Sequence, residues 1–167
     1  MEATAVSVLE EKLKEKFGEG IITFGELDMP CATISTELVE EVVGFLYHDK
    51  DLKYRFLTTM CGLHYPHNAG AELGMMYQLH NLETNSKIRL KTFFPLENPV
   101  VPSLTKLFAT ANWMEREAFD FYGIRFSGHP NLKRILNVDE MEAFPMRKEF
   151  PLEDGTREDK DDTMFGR

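Results

Sequence analysis

The sequence predicts an α+β fold: an antiparallel sheet covered on one face by helices, followed by an extended, irregular C-terminal arm. Two N-terminal segments repeat their apolar residues at helical spacing, and three later segments alternate apolar and polar residues with period two. From Gly128 onward neither period persists. The expected organisation is an α+β domain over residues 1–127 and an extended partner-binding arm over residues 128–167.

Residues 4–17 set Val6, Leu9, Leu13 and Phe17 on one helical face, and Gly18 and Gly20 end that helix. Residues 21–24 and 31–35 read as short strands. From Thr36 a second helix follows, with Leu38, Val42, Phe45 and Leu46 on one side. Thr36 can cap it, and Glu37, Glu40 and Glu41 suit its positive N-terminus. The period then changes. Tyr54, Phe56, Thr58 and Met60 alternate with Lys53, Arg55, Leu57 and Thr59. Leu73, Met75, Tyr77 and Leu79 oppose Glu72, Gly74, Gln78 and His80; Ile88, Leu90, Thr92 and Phe94 oppose Lys87, Arg89 and Lys91. The polar linker NLETNS makes the last two strands a hairpin. Such alternation marks a sheet with one covered face, and the first two helices are the expected cover.

Two short helices should come next, the first capped by Ser103. The second should start at Asn112, with Glu115 reaching back as in a capping box, and close at Gly123. The remaining stretch carries three prolines and no helix long enough to pack alone. It also holds Leu132, Ile135, Leu136, Phe144 and Phe150, too many large apolar residues for a solvated linker. A segment of this kind lies along a surface.

Composition narrows the function. Hydrophobic residues make up 43% and charged residues 28%, an ordinary globular balance. A net charge of −9 argues against nucleic acid, whose phosphates require a basic face. No apolar run approaches a membrane span and the N-terminus lacks a signal-peptide layout, so a cytoplasmic location, with membrane contact only through a partner, is expected. Cys31 and Cys61 are too few for an iron–sulfur cluster, which takes about four thiolates.

The densest stretch for chemistry is EREAFDFYGIRFSGHPNLKRIL, residues 115–136. Glu115, Glu117 and Asp120 could form a carboxylate cluster for acid–base or metal work. The alternative is a charged, partner-facing stripe in which Arg116 and Asp120, one turn apart, pair. Acid–base carboxylates need raised pKa values, and an arginine in the same stripe works the other way, which favours the stripe. Cys61, His64 and His67 stand at three-residue spacing, but the second ligand pair of a zinc site is missing, and two exposed loop histidines are the simpler reading. His129, between Gly128 and Pro130, reads as a turn residue whose imidazole bonds backbone, and Trp113 as a core or interface anchor. The run from Glu153 to Asp162 holds six acids against Arg157 and Lys160, and reads as a solvated end or an arm for a basic partner.

NWMEREAFDFYGIRFSGHPNLKRIL followed by FPMRKEFPLEDG resembles the C subunit of NADH:quinone oxidoreductase, respiratory complex I. The likeness rests on Trp113, Glu115, Arg116, Glu117, Asp120, Gly123, Ile124, Phe126, Gly128, His129, Pro130, Leu132, Arg134, Ile135, Leu136, Pro145, Arg147, Lys148, Phe150, Pro151 and Leu152. A weaker likeness runs back to about Leu38. Thr59 and His64 stand where the family would lead one to expect aspartates.

The resemblance implies a structural, non-catalytic subunit of the peripheral arm of a proton-translocating NADH:quinone oxidoreductase. It would have no cofactor, metal or catalytic residue of its own; NADH, FMN, iron–sulfur clusters and quinone would belong to other subunits. Its partners would be the quinone-site subunit and the iron–sulfur subunits, on the cytoplasmic side of the bacterial inner membrane. The expected interface residues are Trp113, Glu115, Arg116, Asp120, His129, Arg134, Arg147 and Lys148. Loss of Arg134 or Arg147 is expected to impair assembly with little change in the isolated fold. Three other readings stay open: the equivalent subunit of a membrane-bound hydrogenase or ferredoxin-linked complex, a stand-alone metal-dependent hydrolase using Cys61, His64 and His67, and an acidic adaptor.

Overall fold

The computed structural model describes residues 2–26 and 28–150, apart from the side chains of residues 2–6 and Glu26. The side chain of Val6, the acidic run 153–162, and Pro151 and Leu152 therefore lie outside the described residues. The elements are α1 (Glu2–Phe17), β1 (Ile21–Glu26), β2 (Pro30–Ile34), α2 (Val39–His48), β3 (Phe56–His64), β4 (Leu73–Asn81), β5 (Ser86–Phe94), β6 (Val100–Pro102), α3 (Ala111–Tyr122) and β7 (Arg125–Ser127). Five strands form one sheet in the order β1-β2-β5-β4-β3, while β6 and β7 pair separately.

The α+β class holds, with one change. β2 pairs with β5 in parallel, so the sheet is mixed; the other pairings within it are antiparallel. Period-two alternation reports which face is covered and carries no information on strand direction. After β2 the chain passes through α2 to the far edge, then returns through the β3–β4 and β4–β5 pairs.

The inner face is the predicted one over the β4–β5 hairpin. Leu73, Met75, Tyr77, Leu79, Ile88, Leu90 and Thr92 are fully buried, and Leu9, Leu13, Val39, Val42, Val43 and Leu46 cover them from α1 and α2. β3 departs from its expected phase. A register shift between Leu57 and Thr59 turns Leu57 inward and leaves Phe56 exposed; beyond it Met60, Gly62 and His64 point in. One extra residue in a strand flips every side chain that follows, and alternation alone does not announce it.

Three expected caps are not formed. Thr36 sits in a single 3-10 turn before α2 and shares its hydroxyl with Thr92 (2.8 Å), relieving a buried polar group of the sheet. No helix follows Ser103. Its Oγ accepts from the Thr105 N–H (3.2 Å), and the chain makes one turn closed by Leu107 and Phe108 on the Leu104 carbonyl. α3 begins at Ala111 without a side-chain cap, and Glu115 turns into the core to accept from the Leu104 N–H (2.7 Å). For Thr36 and Glu115 a tertiary partner outcompeted the local one; Ser103 instead bonds locally to Thr105 without starting a helix. Gly123 does close α3, at φ +74°, where its N–H bonds the Phe119 carbonyl.

Candidate functional site

α3 packs on β3 at the edge of the sheet, close enough that a methyl on Gly62 would overlap the Tyr122 ring. The first residues of the arm, 128–150, fold back onto this helix. The centre of the contact is Asp120, a carboxylate with no exposed surface. Its Oδ2 accepts from the backbone N–H groups of Ile135 (3.0 Å), Leu136 (2.8 Å) and Asn137 (2.9 Å). Its Oδ1 accepts from Arg134 Nη1 (2.7 Å) and Asn137 Nδ2 (3.0 Å). Burial alone would raise the Asp120 pKa, but the bonds from Asn137, Leu136 and Arg134 outweigh it and hold the carboxyl well below the usual range. Three successive N–H groups converging on one oxygen make an anion nest, filled here by the chain's own carboxylate.

Arg134 completes the tie. It also donates to the carbonyls of Asp120, Met141 and Ala143, and its guanidinium lies 5.2 Å from the Phe144 ring centroid. Arg116 Nε and Nη2 donate to the carbonyls of Lys133 (3.0 Å) and Arg134 (2.9 Å). Arg147 Nε donates to the Tyr122 carbonyl (2.8 Å) and stacks on Phe144 at 4.5 Å. That stack crosses Gly123, where any Cβ would meet Arg147 and Phe144, so glycine is required both for its positive φ and for the close approach.

The expected Arg116–Asp120 pair is thus replaced by Arg116 on the arm's carbonyls and Asp120 on Arg134. A pair one turn apart on a solvated stripe is worth only about 0.3–0.5 kcal/mol, whereas the nest satisfies three part-buried amides at once. Arg134 and Arg147 likewise direct their guanidinium groups to this chain. These bonds tie the arm to α3 within the chain, in addition to any role at a partner surface. Lys148 is exposed, 5.8 Å over the Tyr65 ring. Trp113 is 58% exposed, with the Arg116 guanidinium 5.3 Å from its ring centroid.

His129 takes the turn role expected of it. Its Nδ1 accepts from the Asn131 N–H (3.0 Å), which leaves the proton on Nε2, facing the Asn112 carbonyl at 3.2 Å. Glu115 Oε2 lies 4.0 Å from Nε2, and both side chains are fully buried. Burial pushes the Glu115 carboxyl up to about 7, against the bonds from the Leu104 N–H and the Ser103 hydroxyl. Glu115 Oε2 and the Tyr77 hydroxyl are buried without hydrogen-bond partners among the described residues. Glu115 is therefore neither stripe nor cap. The acids of the motif divide: Asp120 is taken up by the arm, Glu115 sits in the core, and Glu117 is exposed.

His64 corrects another expectation. It is buried at the end of β3, and its Nδ1 accepts from the Lys148 N–H (2.9 Å), fixing the far end of the arm. Continuing the inward set Met60 and Gly62 by two residues would have placed it. Among the described residues, no three His, Cys, Asp or Glu side chains converge to hold a metal, and no helix is long and apolar enough to cross a membrane.

Residues 32–156 match the family model described as Respiratory-chain NADH dehydrogenase, 30 Kd subunit. The NADH-quinone oxidoreductase C 2 subunit of Rhizobium etli is 39% identical over 142 residues, covering 84% of this chain and 74% of that protein. The NADH-quinone oxidoreductase C subunit of Mycolicibacterium paratuberculosis is 40% identical over 111 residues, 66% of this chain and 47% of that protein. The chain thus spans about half the length of that relative. Among solved structures, a trypsin-resistant fragment (1–134) of Nqo5 superposes with a TM-score of 0.62 at 29% identity, over 74% of this chain and 98% of the fragment. A chain of the membrane-bound sulfane sulfur reductase, an archaeal respiratory membrane complex, gives 0.73 at 18% identity over 87% of this chain and 85% of its own, a likeness of fold.

Proposed function

The chain belongs to the respiratory-chain NADH dehydrogenase 30 kDa subunit family, and from that premise we propose that it is a structural subunit of the peripheral arm of an NADH:quinone oxidoreductase. In this reading it supports the quinone-site subunit beside the iron–sulfur subunits, on the cytoplasmic side of the membrane. Redox cofactors belong to those neighbours, and no catalytic step is assigned to this chain. The parts are the α+β domain, 1–127, and the arm, 128–167.

One observation carries the proposal. Arg116, Asp120, Arg134 and Arg147 are engaged inside the chain, clasping the arm to α3, while large apolar side chains around the clasp remain exposed. Trp113, Leu136, Val138, Met146 and Phe150 are all among the exposed large hydrophobics. A monomer gains nothing from holding an extended segment so firmly with its apolar side chains in water. A subunit gains a rigid docking edge whose ordering cost is met before the partner arrives. In this scheme Trp113 and Arg116 meet the partner, Lys148 lies on the rim, and Glu115, Asp120, His129, Arg134 and Arg147 shape the edge from behind. The identities of 39% and 40% to NADH-quinone oxidoreductase subunits favour this over a hydrogenase-type complex or a hydrolase.

The test is native purification through a tag on this chain, with identification of the co-purifying subunits and an assay of NADH:quinone activity. Trp113→Ala should leave the stability of the isolated chain within about 0.5 kcal/mol, as for an exposed site. It should weaken assembly by about 2 kcal/mol or more, as for a buried aromatic anchor. Full assembly of the variant would remove Trp113 from the interface, and recovery of the chain without oxidoreductase subunits would overturn the proposal.

A further inference from the structure

Among the described residues, a row of strand positions of the main sheet that faces away from α1 and α2 is half-buried to exposed, and its charge is one-sided. The register places Cys31 and Thr33 of β2 beside Arg89 and Lys91 of β5, then Gln78 and Met76 of β4, then Thr59 and Cys61 of β3. Lys87 continues the same row at the end of β5. These strand positions hold three cations, in a chain whose net charge is −9. The acids beside them are Asp28, paired to Arg89, and Glu117 of α3, near Cys61, whose thiol is pushed up by burial and by this carboxylate. The uncompensated charge is that of Lys87 and Lys91. Segregating the scarce sign onto one flat face is what a surface for an acidic partner requires.

Two details sharpen this. Arg89 already grips a carboxylate: its Nη1 and Nη2 donate to Asp28 Oδ1 (3.0 Å) and Oδ2 (3.1 Å), with Asp28 reaching in from the β1–β2 turn. The forked geometry shows which ligand chemistry the row accepts. Lys91 is different. It stands half-buried at the centre of the sheet between Thr33 and Met76, with no ion-pair partner among the described residues. A partly desolvated cation without a counter-charge is a place where an incoming carboxylate gains most. Tyr65 and Phe93, edge to face at 5.8 Å, supply an apolar margin at one end. Strands of nine, nine, nine, six and five residues, at a rise of about 3.3 Å and a spacing of about 4.8 Å, give a face of about 600 Å², the order of one side of a specific interface.

We infer that this outer sheet face, centred on Lys91 and Arg89, is a second docking surface, separate from the α3–arm edge, for an acidic segment of another subunit. The inference rests on the multi-subunit reading above. Lys91 and Lys87 would each meet an Asp or Glu of the partner, beside the Arg89–Asp28 pair, with Tyr65 and Phe93 covered at the margin.

Zero-length carbodiimide coupling tests it, because the reagent joins an amine to a carboxylate only where the two touch. Applied to the natively purified complex, it should link Lys91 or Lys87 to an Asp or Glu of a different subunit. Amine acetylation of Lys91 should fall at least tenfold between the full chain purified alone and the complex. Lys87→Glu with Lys91→Glu should reduce recovery of the subunit in the complex at least tenfold, with unchanged thermal unfolding of the chain alone; should that variant unfold, Lys91→Gln with the coupling assay on Lys87 serves instead. Coupling to residues 153–162 of this chain, coupling between two copies of it, or equal acetylation in chain and complex would each overturn the inference. If oxidoreductase subunits do not co-purify at all, the subunit proposal fails; if they co-purify while Lys91 stays reactive, only this inference fails.

Discussion

Replacing Asp120 tests the clasp directly. Asp120→Ala removes the acceptors of three backbone amides and two side-chain donors at once, and leaves Arg134, whose side chain is 8% exposed, without its counter-charge. Breaking a buried pair by deleting one partner costs about 3–5 kcal/mol. The arm can escape part of this by undocking into water, so the loss is bounded by what docking residues 128–150 contributes. Asp120→Asn keeps the volume but turns an amide toward Arg134 and Asn137, both donors, and should cost about 2–3 kcal/mol. Urea unfolding of the isolated chain reads the total. Amide exchange at residues 135–137 and limited proteolysis between residues 130 and 150 report whether the loss is local. An Asp120→Asn midpoint equivalent to less than about 0.5 kcal/mol, a surface-like effect, with full protection at residues 135–137, would refute the reasoning. The pH dependence has a definite sign. The folded carboxyl is depressed, so its contribution is complete above the unfolded value of about 3.9 and is lost as pH falls below it. The arm should stay docked at pH 5 and loosen only in strong acid.

Glu115 should behave oppositely. Its folded pKa is raised to about 7, so its contribution is complete below the unfolded pKa and is lost as pH rises through 7. Glu115→Gln should flatten the decline in thermal stability between pH 5 and pH 8, an effect on the order of 2–3 kcal/mol; parallel pH profiles for the two proteins would count against it. Gly62→Ala should cost about 1–3 kcal/mol in urea by forcing Tyr122 off β3, and Tyr122→Ala in the same chain should recover part of the loss. His64→Ala should cost about 1 kcal/mol and raise proteolysis near Lys148, since an accepted backbone bond is lost. His64→Asp, which retains an acceptor, should lose less, and equal losses for the two would show that the imidazole acts only by filling space.

That last pair bears on how much could be read from residues alone. The family likeness leads one to expect an aspartate at position 64. The structure gives His64 the duty an aspartate could perform, accepting from a backbone N–H of the arm. Sequence spacing with Cys61 and His67 suggested a loop ligand instead, because it could not say that β3 reaches His64 and that the arm returns over it.

The sequence by itself determined what is periodic or locally dictated. The alternation of Leu73 to Leu79 and Ile88 to Phe94 fixed the buried face of the hairpin. Gly123 fixed the end of α3, and the motif around Trp113 and Arg134 fixed the family. Tertiary structure decided the polar partnerships of the buried acids and of Thr36. Glu115 left its expected cap for the Leu104 amide, Asp120 left Arg116 for Arg134 and a nest of amides, and Thr36 left its helix for Thr92. The reason is physical. An apolar side chain needs only to be on the covered face, which its spacing reveals. A buried charge or hydroxyl needs particular donors or acceptors within about 3 Å, and these came from segments 11 to 56 residues away, brought into reach only by the folded chain.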